Sequence, residues 1–189
     1  MYILPQPVGS VFNLQMNSNG EVTHKELIKK KVGVIDVGFR TTDSTILDHM
    51  KYVDRASCTV ETGISTSFDE IANHLREMTG IAIELYRLYK AVKAGTITIR
   101  VKKFNISSLR DQAYSVLAGK IAEVVNKLWA QDWDIEAIIS SGCGSKDLMK
   151  NLQPLIPGNV IPSENNADTR LNNVQGYLKY GKYKWKQAQ

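Results

Sequence analysis

Between Lys31 and Glu61 three β-rich segments follow one another with connections too short for a crossover. Lys31–Val37 is mostly apolar and β-branched and reads as a buried strand. Gly38-Phe39-Arg40 is a short turn, Thr42–Met50 reads as a second strand, and Lys51–Glu61 reads as a third. Parallel neighbours need about a dozen or more linking residues, so these three strands run antiparallel. After Ile64 the period changes. Ser65-Thr66-Ser67 followed by Asp69 and Glu70 is helix-initiation chemistry, hydroxyls first and then acids at the positive end of the dipole. Apolar residues from Ile71 to Val92 recur at helical spacing. They predict one helix to about Lys93, ended near Gly95 and bent or loosened at Gly80.

Thr96–Val101 alternates like a strand, and Asn105 with Ser107-Ser108 caps a helix running to about Trp129. Asp134–Ser140 is a strand leading into Ser141-Gly142-Cys143-Gly144-Ser145; Lys146–Leu152 is a short helix and Asn159–Pro162 a short strand. A terminal helix is expected over Ala167–Tyr180, with Lys182–Lys186 as a fraying tail. The order is β-β-β-α, an inserted β-α, then β-α-β-α. This predicts an α/β fold of ribonuclease-H-like topology: a mixed five-stranded sheet with flanking helices and a small insertion at about 95–130. Residues 1–31 read as a leading segment held extended by Pro5 and Pro7, with a turn at Asn17–Gly20 and no clear helix or strand preference over Val8–Met16. Residues 32–189 form the domain proper.

A length of 189 residues fits one domain, and 43% hydrophobic with 23% charged residues is a globular balance that excludes disorder. The apolar runs are far short of the roughly 18 residues of a membrane span, and the N-terminus lacks a basic region followed by an apolar stretch. No membrane partner is expected. Cys58 and Cys143 have no Cys-x-x-Cys spacing, so neither a disulfide framework nor a zinc cluster is expected, and a reducing cytoplasm is the default. The net charge of +5 is mildly basic and selects no partner. His24, His49 and His74 lack metal-ligand spacing. Tyr177–Lys186 interleaves lysines with aromatics, which suits stacking on bases but equally a solvated helix end.

Three stretches carry possible chemistry. In Asp36-Val37-Gly38-Phe39-Arg40-Thr41-Thr42-Asp43 an acid ends a buried strand, where desolvation is costly without a cation, water or donors. Gly38 lets backbone amides approach an anion, Thr41 and Thr42 offer hydroxyls to phosphate, and Asp43 adds a second carboxylate. Magnesium sites commonly use one or two carboxylates plus phosphates and water; the alternative is an ordinary tight turn. Ser141–Ser145 opens a helix through two glycines, which suits phosphate or a flat ligand but equally a plain strand-to-helix turn. Glu61-Thr62-Gly63-Ile64-Ser65-Thr66 reads first as helix capping and second as a phosphate contact through Gly63. Cys143 has no neighbouring His and reads as a small buried residue.

The hairpin resembles the second phosphate loop of the actin, Hsp70 and sugar-kinase ATPase superfamily, Asp-x-Gly-x-x-Thr-x-Asp, here Asp36, Gly38, Thr41 and Asp43. Ser141–Ser145 resembles its adenosine loop, with Cys143 in a position the family usually fills with glycine. Leu4–Gly9, Ile35–Asp43 and Asn172–Gly181 resemble actin-like plasmid-segregation proteins of the ParM/StbA type, although Leu171-Asn172-Asn173-Val174-Gln175-Gly176 departs from their Ala-Asn-Ala/Val-x-Gly. The resemblance implies the second half of a two-domain ATPase that binds ATP or ADP with magnesium between its halves. Asp36 would act catalytically and on the metal, with Asp43 as a second acid. Gly38, Thr41, Thr42 and Gly63 would hold the phosphates, and Gly142, Gly144 and Ser145 the adenosine side. It also implies self-association into filaments, plasmid DNA reached through an adaptor, and an N-terminal half domain whose first phosphate loop is not found before Lys31. Nucleotide binding without turnover is the expectation for this chain. Two other readings stand beside it. One is an assembly scaffold that has lost nucleotide. The other is a two-metal nuclease, which needs three or four converging carboxylates from Asp36, Asp43, Asp69, Glu70 and Glu136.

Overall fold

The computed structural model describes residues 3–163 and 168–187. Its main sheet has the order β3-β2-β1-β6-β7, built from β1 (Lys31–Val37), β2 (Thr42–Asp48), β3 (Lys51–Val60), β6 (Ala137–Ser141) and β7 (Val160–Pro162). β1 lies antiparallel to β2 and parallel to β6, β2 is antiparallel to β3, and β6 is parallel to β7. This is the mixed five-stranded sheet expected. β1 is central and covered on both faces, which explains its near-continuous apolar run. Side chains alternate between faces with the pleat. Ile35, Val37, Ile46 and Ile138 meet Leu117 and Ile121 of α4 (Ser107–Leu128) on one face. Val32, Val34, Leu47 and Ile139 meet Val8, Val11 and Phe12 of α1 (Val8–Gln15) on the other. Among the described residues, no helix is long and apolar enough to cross a membrane.

Several local expectations are corrected. The long helix to Lys93 is two helices, α2 (Ile64–Thr79) and α3 (Leu85–Ala94). Gly80 at φ 71° and Gly95 at φ 70° each take the left-handed conformation that closes a helix, so Gly80 is a stop rather than a bend. Thr96–Val101 is not one strand. β4 (Thr96–Ile99) reverses at Arg100 and pairs with β5 (Lys102–Asn105) as a hairpin. α5 covers Ser145–Leu152. The leading segment is not extended throughout: Val8–Gln15, where the pattern had no clear preference, forms α1, and a 3-10 helix follows at Lys25–Lys29. Pro7 sits at φ −64° just before α1, a value already suited to helix entry.

Ala167, the expected start of the terminal helix, lies outside the described residues. After a 3-10 turn at Thr169–Leu171, α6 runs Asn172–Gln187, so the expected fraying tail is helix. Its lysines reach back to the leading segment: Lys182 Nζ donates to Ser18 O at 2.8 Å and Lys186 pairs with Glu21 at 3.4 Å.

α1 and α6 cross with their backbones in contact. A Cβ on Gly176 would overlap the Gly9 carbonyl, and one on Gly9 would fall 2.7 Å from Asn173 Cα. Beyond the crossing, Phe12 and Tyr180 stack with centroids 4.3 Å apart. The end of the sheet away from Asp36 is closed by Asp132. Its buried carboxylate takes both Arg55 nitrogens at 2.9 and 2.8 Å and Lys31 at 2.8 Å. The Arg55 guanidinium chiefly, opposed by burial and aided by Lys31, lowers that carboxyl to about 2.

Two outcomes follow from this packing. Gly176→Val is expected to lower stability by about 1–3 kcal/mol, read as a shifted urea midpoint at unchanged slope. For Asp132, a lowered folded value means stability present above its unfolded pKa of about 3.9 and lost as pH falls toward the folded value. Asp132→Asn should therefore cost about 2 kcal/mol at neutral pH, less than a fully buried pair because Arg55 is largely exposed. Paired unfolding curves should show that gap narrowing below pH ~4.

Candidate functional site

Asp36 is one residue from the end of β1, stands opposite Asp43 of β2 in register, and is only 4% exposed. Burial pushes its carboxyl above the usual range; a hydrogen bond from Asn173 opposes this, and the Asp43 charge adds to it. Asn173, in the first turn of α6, donates from Nδ2 to Asp36 Oδ2 at 2.5 Å. The amide oxygen Asn173 Oδ1 is buried with no hydrogen-bond partner. Next to it, Asn172 donates to Ser141 Oγ at 3.0 Å and accepts from Asn13 Nδ2 at 2.5 Å. The two asparagines thus pin α6 to the ends of β1 and β6 and to α1.

Glycine turns converge on the same edge. Gly142, at φ 90°, lies so close that a Cβ there would overlap Asp36 Oδ1 and the Val37 carbonyl. Gly144 N donates to Val37 O at 2.9 Å, holding the loop against β1. Gly38 N donates to Thr41 O at 2.8 Å, and Ile64 N and Ser65 N donate to the Gly38 and Phe39 carbonyls at 3.1 and 2.8 Å. The hairpin is therefore fixed from both sides.

These elements border a cavity of about 520 Å³, with Asp36, Gly38, Phe39, Gly142, Cys143 and Asn173 in its lining. Of the residues predicted from sequence, Asp36, Gly38 and Gly142 meet there. Thr41, Thr42, Asp43, Gly63, Gly144 and Ser145 lie outside the lining. Thr42 is fully buried and its hydroxyl donates to Thr62 O at 2.6 Å. The Asp43 carboxylate accepts from Thr59 Oγ1. Gly63 packs against the hairpin backbone, where a Cβ would sit 2.6 Å from Phe39 O. A Cβ on Gly144 would sit 2.8 Å from Val37 Cγ1, and Ser145 Oγ donates to Gly142 O at 2.8 Å, so both serve the loop's packing.

Sequence reasoning gave no role to Asn173 or to the aromatic wall. Phe68 is buried and meets Phe39 and Tyr89 edge-on, with centroids 6.3 and 6.4 Å away. Arg170, in the same lining, is tied to Asp168, with Nε to Oδ1 at 2.8 Å. The asparagine pair near the start of the terminal helix was the available signal for Asn173; Phe39 stood in a turn, and nothing in the pattern singled out Phe68 or Tyr89. Burial raises the Cys143 thiol, in keeping with an unreactive packing residue.

The carboxylates of the nuclease reading do not converge. Asp69 and Glu70 are exposed on α2, and Glu136 accepts from Lys31 N at 3.3 Å at the far end of the sheet. Among the described residues, no group of three or more His, Cys, Asp or Glu side chains is placed to hold a metal.

A carboxyl held above its unfolded range stabilises the fold below its unfolded pKa of about 3.9 and loses that contribution as pH rises through the folded value. Asp36→Asn, which keeps an acceptor for Asn173, is therefore expected to raise the urea midpoint at pH ~7, and the gain should vanish below pH ~4.

The sequence profile of the family described as archaeal actin homologue MreB-like, C-terminal, matches residues 34–154. No curated protein sequence matches the chain. Among solved structures, Ta0583, an archaeal actin homolog, superposes with a TM-score of 0.80 at 20% identity over 94% of this chain and 55% of that one. Its complex with ADP gives 0.78 at 20% identity over 94% and 56%. A subunit of a 15-stranded ParM filament from Clostridium botulinum gives 0.76 at 23% identity over 96% and 53%. The chain spans little more than half the length of these structures. They share its fold, and the profile covers most of the sheet, helices α2 to α5 and both glycine turns, which makes this chain a member of the archaeal actin homologue MreB-like C-terminal family.

Proposed function

We propose that the chain forms one wall of the nucleotide cleft of an actin-like, filament-forming ATPase, with the phosphates of ATP or ADP lying over Asp36, Gly38 and Gly142. The observation that carries this is the buried Asp36 carboxylate beside the unpartnered Asn173 Oδ1, both at a cavity bordered by two glycine turns. Two oxygen acceptors and room for water suit a magnesium ion, which takes few protein ligands and keeps several waters. Asp36 would hold it through water, with Asn173 Oδ1 alongside. When bound, the ion neutralises phosphate charge. Gly38 and Gly142 let phosphate oxygens approach the backbone. Thr41, Thr42, Asp43, Gly63, Gly144 and Ser145 act one step back, fixing the turns.

Phosphoryl transfer depends on positioning and on charge stabilisation from all sides. The opposite wall is a second ribonuclease-H-like domain, which the full-length relatives have length to contain. Binding with little turnover is therefore the expected behaviour of this chain. Membership of the family and the likeness to Ta0583, solved with ADP, support the nucleotide reading. The likeness to the Clostridium botulinum ParM filament supports self-association. A role in plasmid segregation in the cytoplasm, through an adaptor that binds DNA, completes the proposal.

Calorimetric titration of magnesium-ATP and magnesium-ADP should show binding that Asp36→Ala abolishes. Fast ATP hydrolysis by the chain alone, lost in the same variant, would refute the one-wall reading. Absence of binding to the wild type would favour a scaffold.

A further inference from the structure

Two apolar side chains stand almost fully in solvent at opposite ends of α4. Val101 is 99% exposed at the reversal between β4 and β5, and Trp133 is 90% exposed between α4 and β6. The hairpin is tied to the first turn of α4, where Ile106 N and Ser107 Oγ both donate to Gly95 O, at 2.9 and 3.3 Å. Trp133 lies just past Trp129, the residue that closes α4. The helix has 22 residues and so spans about 33 Å.

The two sites are set in opposite charge. From residue 85 to 110 there are seven Lys or Arg and no Asp or Glu. Arg100, Lys102 and Lys103 flank Val101 and are exposed. From residue 130 to 136 there are three acids and no Lys or Arg. Asp132 is buried in its bridges to Lys31 and Arg55, and Lys31 also pairs with Asp134 at 2.7 Å; these two cations and the three acids leave a net charge of −1, with Asp134 and Glu136 exposed just after Trp133 in sequence.

The geometry points to a head-to-tail contact between copies of this chain, in which the Arg100–Lys103 tip of one copy docks on the Trp133 face of the next. Val101 packs on the indole, the basic residues face Asp134 and Glu136, and a tip cation lies over the Trp133 ring. The two surfaces differ, so each added copy leaves one free tip and one free face. Such a contact propagates into a filament or ring instead of closing as a dimer. It names the surfaces for the self-association proposed above and rests on that reading. A basic hairpin also suits a nucleic-acid backbone, but that occupant leaves the acidic, aromatic far end without a role.

Sedimentation velocity over a range of concentrations, at low and high salt and with and without magnesium-ATP, tests this. Wild type should form oligomers beyond the dimer, weaker at high salt. Val101→Asp and Trp133→Ser should each weaken association by about tenfold or more, with circular dichroism and melting unchanged because both side chains are exposed. A one-to-one mixture of the two variants should restore association and stop at a dimer, since each variant keeps one working surface. Oligomers that persist in both variants overturn this contact while self-association stands. A wild type that stays monomeric throughout overturns self-association itself. Variants that lose association but fail to complement each other overturn the head-to-tail pairing. Association that requires added duplex DNA replaces the second copy with nucleic acid.

Discussion

The Asp36 carboxylate is where the chemistry and the architecture of this chain meet. It is buried at the end of a strand covered on both faces, and it accepts a hydrogen bond from Asn173 of α6. That bond sets the start of α6 over the sheet. Asn172, one residue earlier, fixes the same turn to Ser141 and Asn13. Position the asparagines, and the crossing of α6 with α1 follows; with it comes the cover for the second face of the sheet. The charge also explains Gly142, because no side chain fits between its backbone and Asp36. A hydrophobic residue at 36 would ease burial. The acid stands at a place where burial of its charge weakens the fold, as the proposed ligand site would require.

Much of this was legible because the signals were local and repeated. Three strands with short links, followed by alternating helices and strands, leave few topologies, and the observed sheet order is the one those links favour. The acid-glycine hairpin and the second glycine turn were visible as motifs, and the fold brings Asp36, Gly38 and Gly142 together. What sequence could not supply was the direction of individual side chains. Thr42 looked free for a phosphate, yet its position in the pleat turns the hydroxyl to the Thr62 carbonyl. Asp43 looked like a second ligand, yet Thr59 across the strand pair takes its carboxylate.

The helical misreadings have a common cause. Apolar spacing continues across Gly80, so periodicity alone cannot see that the backbone turns left-handed there. The Thr96–Val101 alternation is genuine, but a reversal at Arg100 needs no glycine signal. Lysines at the end of α6 read as a solvated tail because their acceptors, Ser18 and Glu21, lie more than 160 residues away in sequence.

The joining of α1 to α6 has a consequence for how the chain is made. Hydrogen bonds link Asn13 to Asn172 and Lys179 to Asn13 across separations of 159 and 166 residues. During synthesis α1 emerges well before α6. Until α6 arrives, the Val32, Val34 and Ile139 side of the sheet has only a short helix to shield it. Closing so long a loop is slow, and an exposed apolar sheet face in the meantime invites aggregation. Between the completion of β7 and the docking of α6, the chain therefore carries a sheet with one finished side and one face still waiting for its cover.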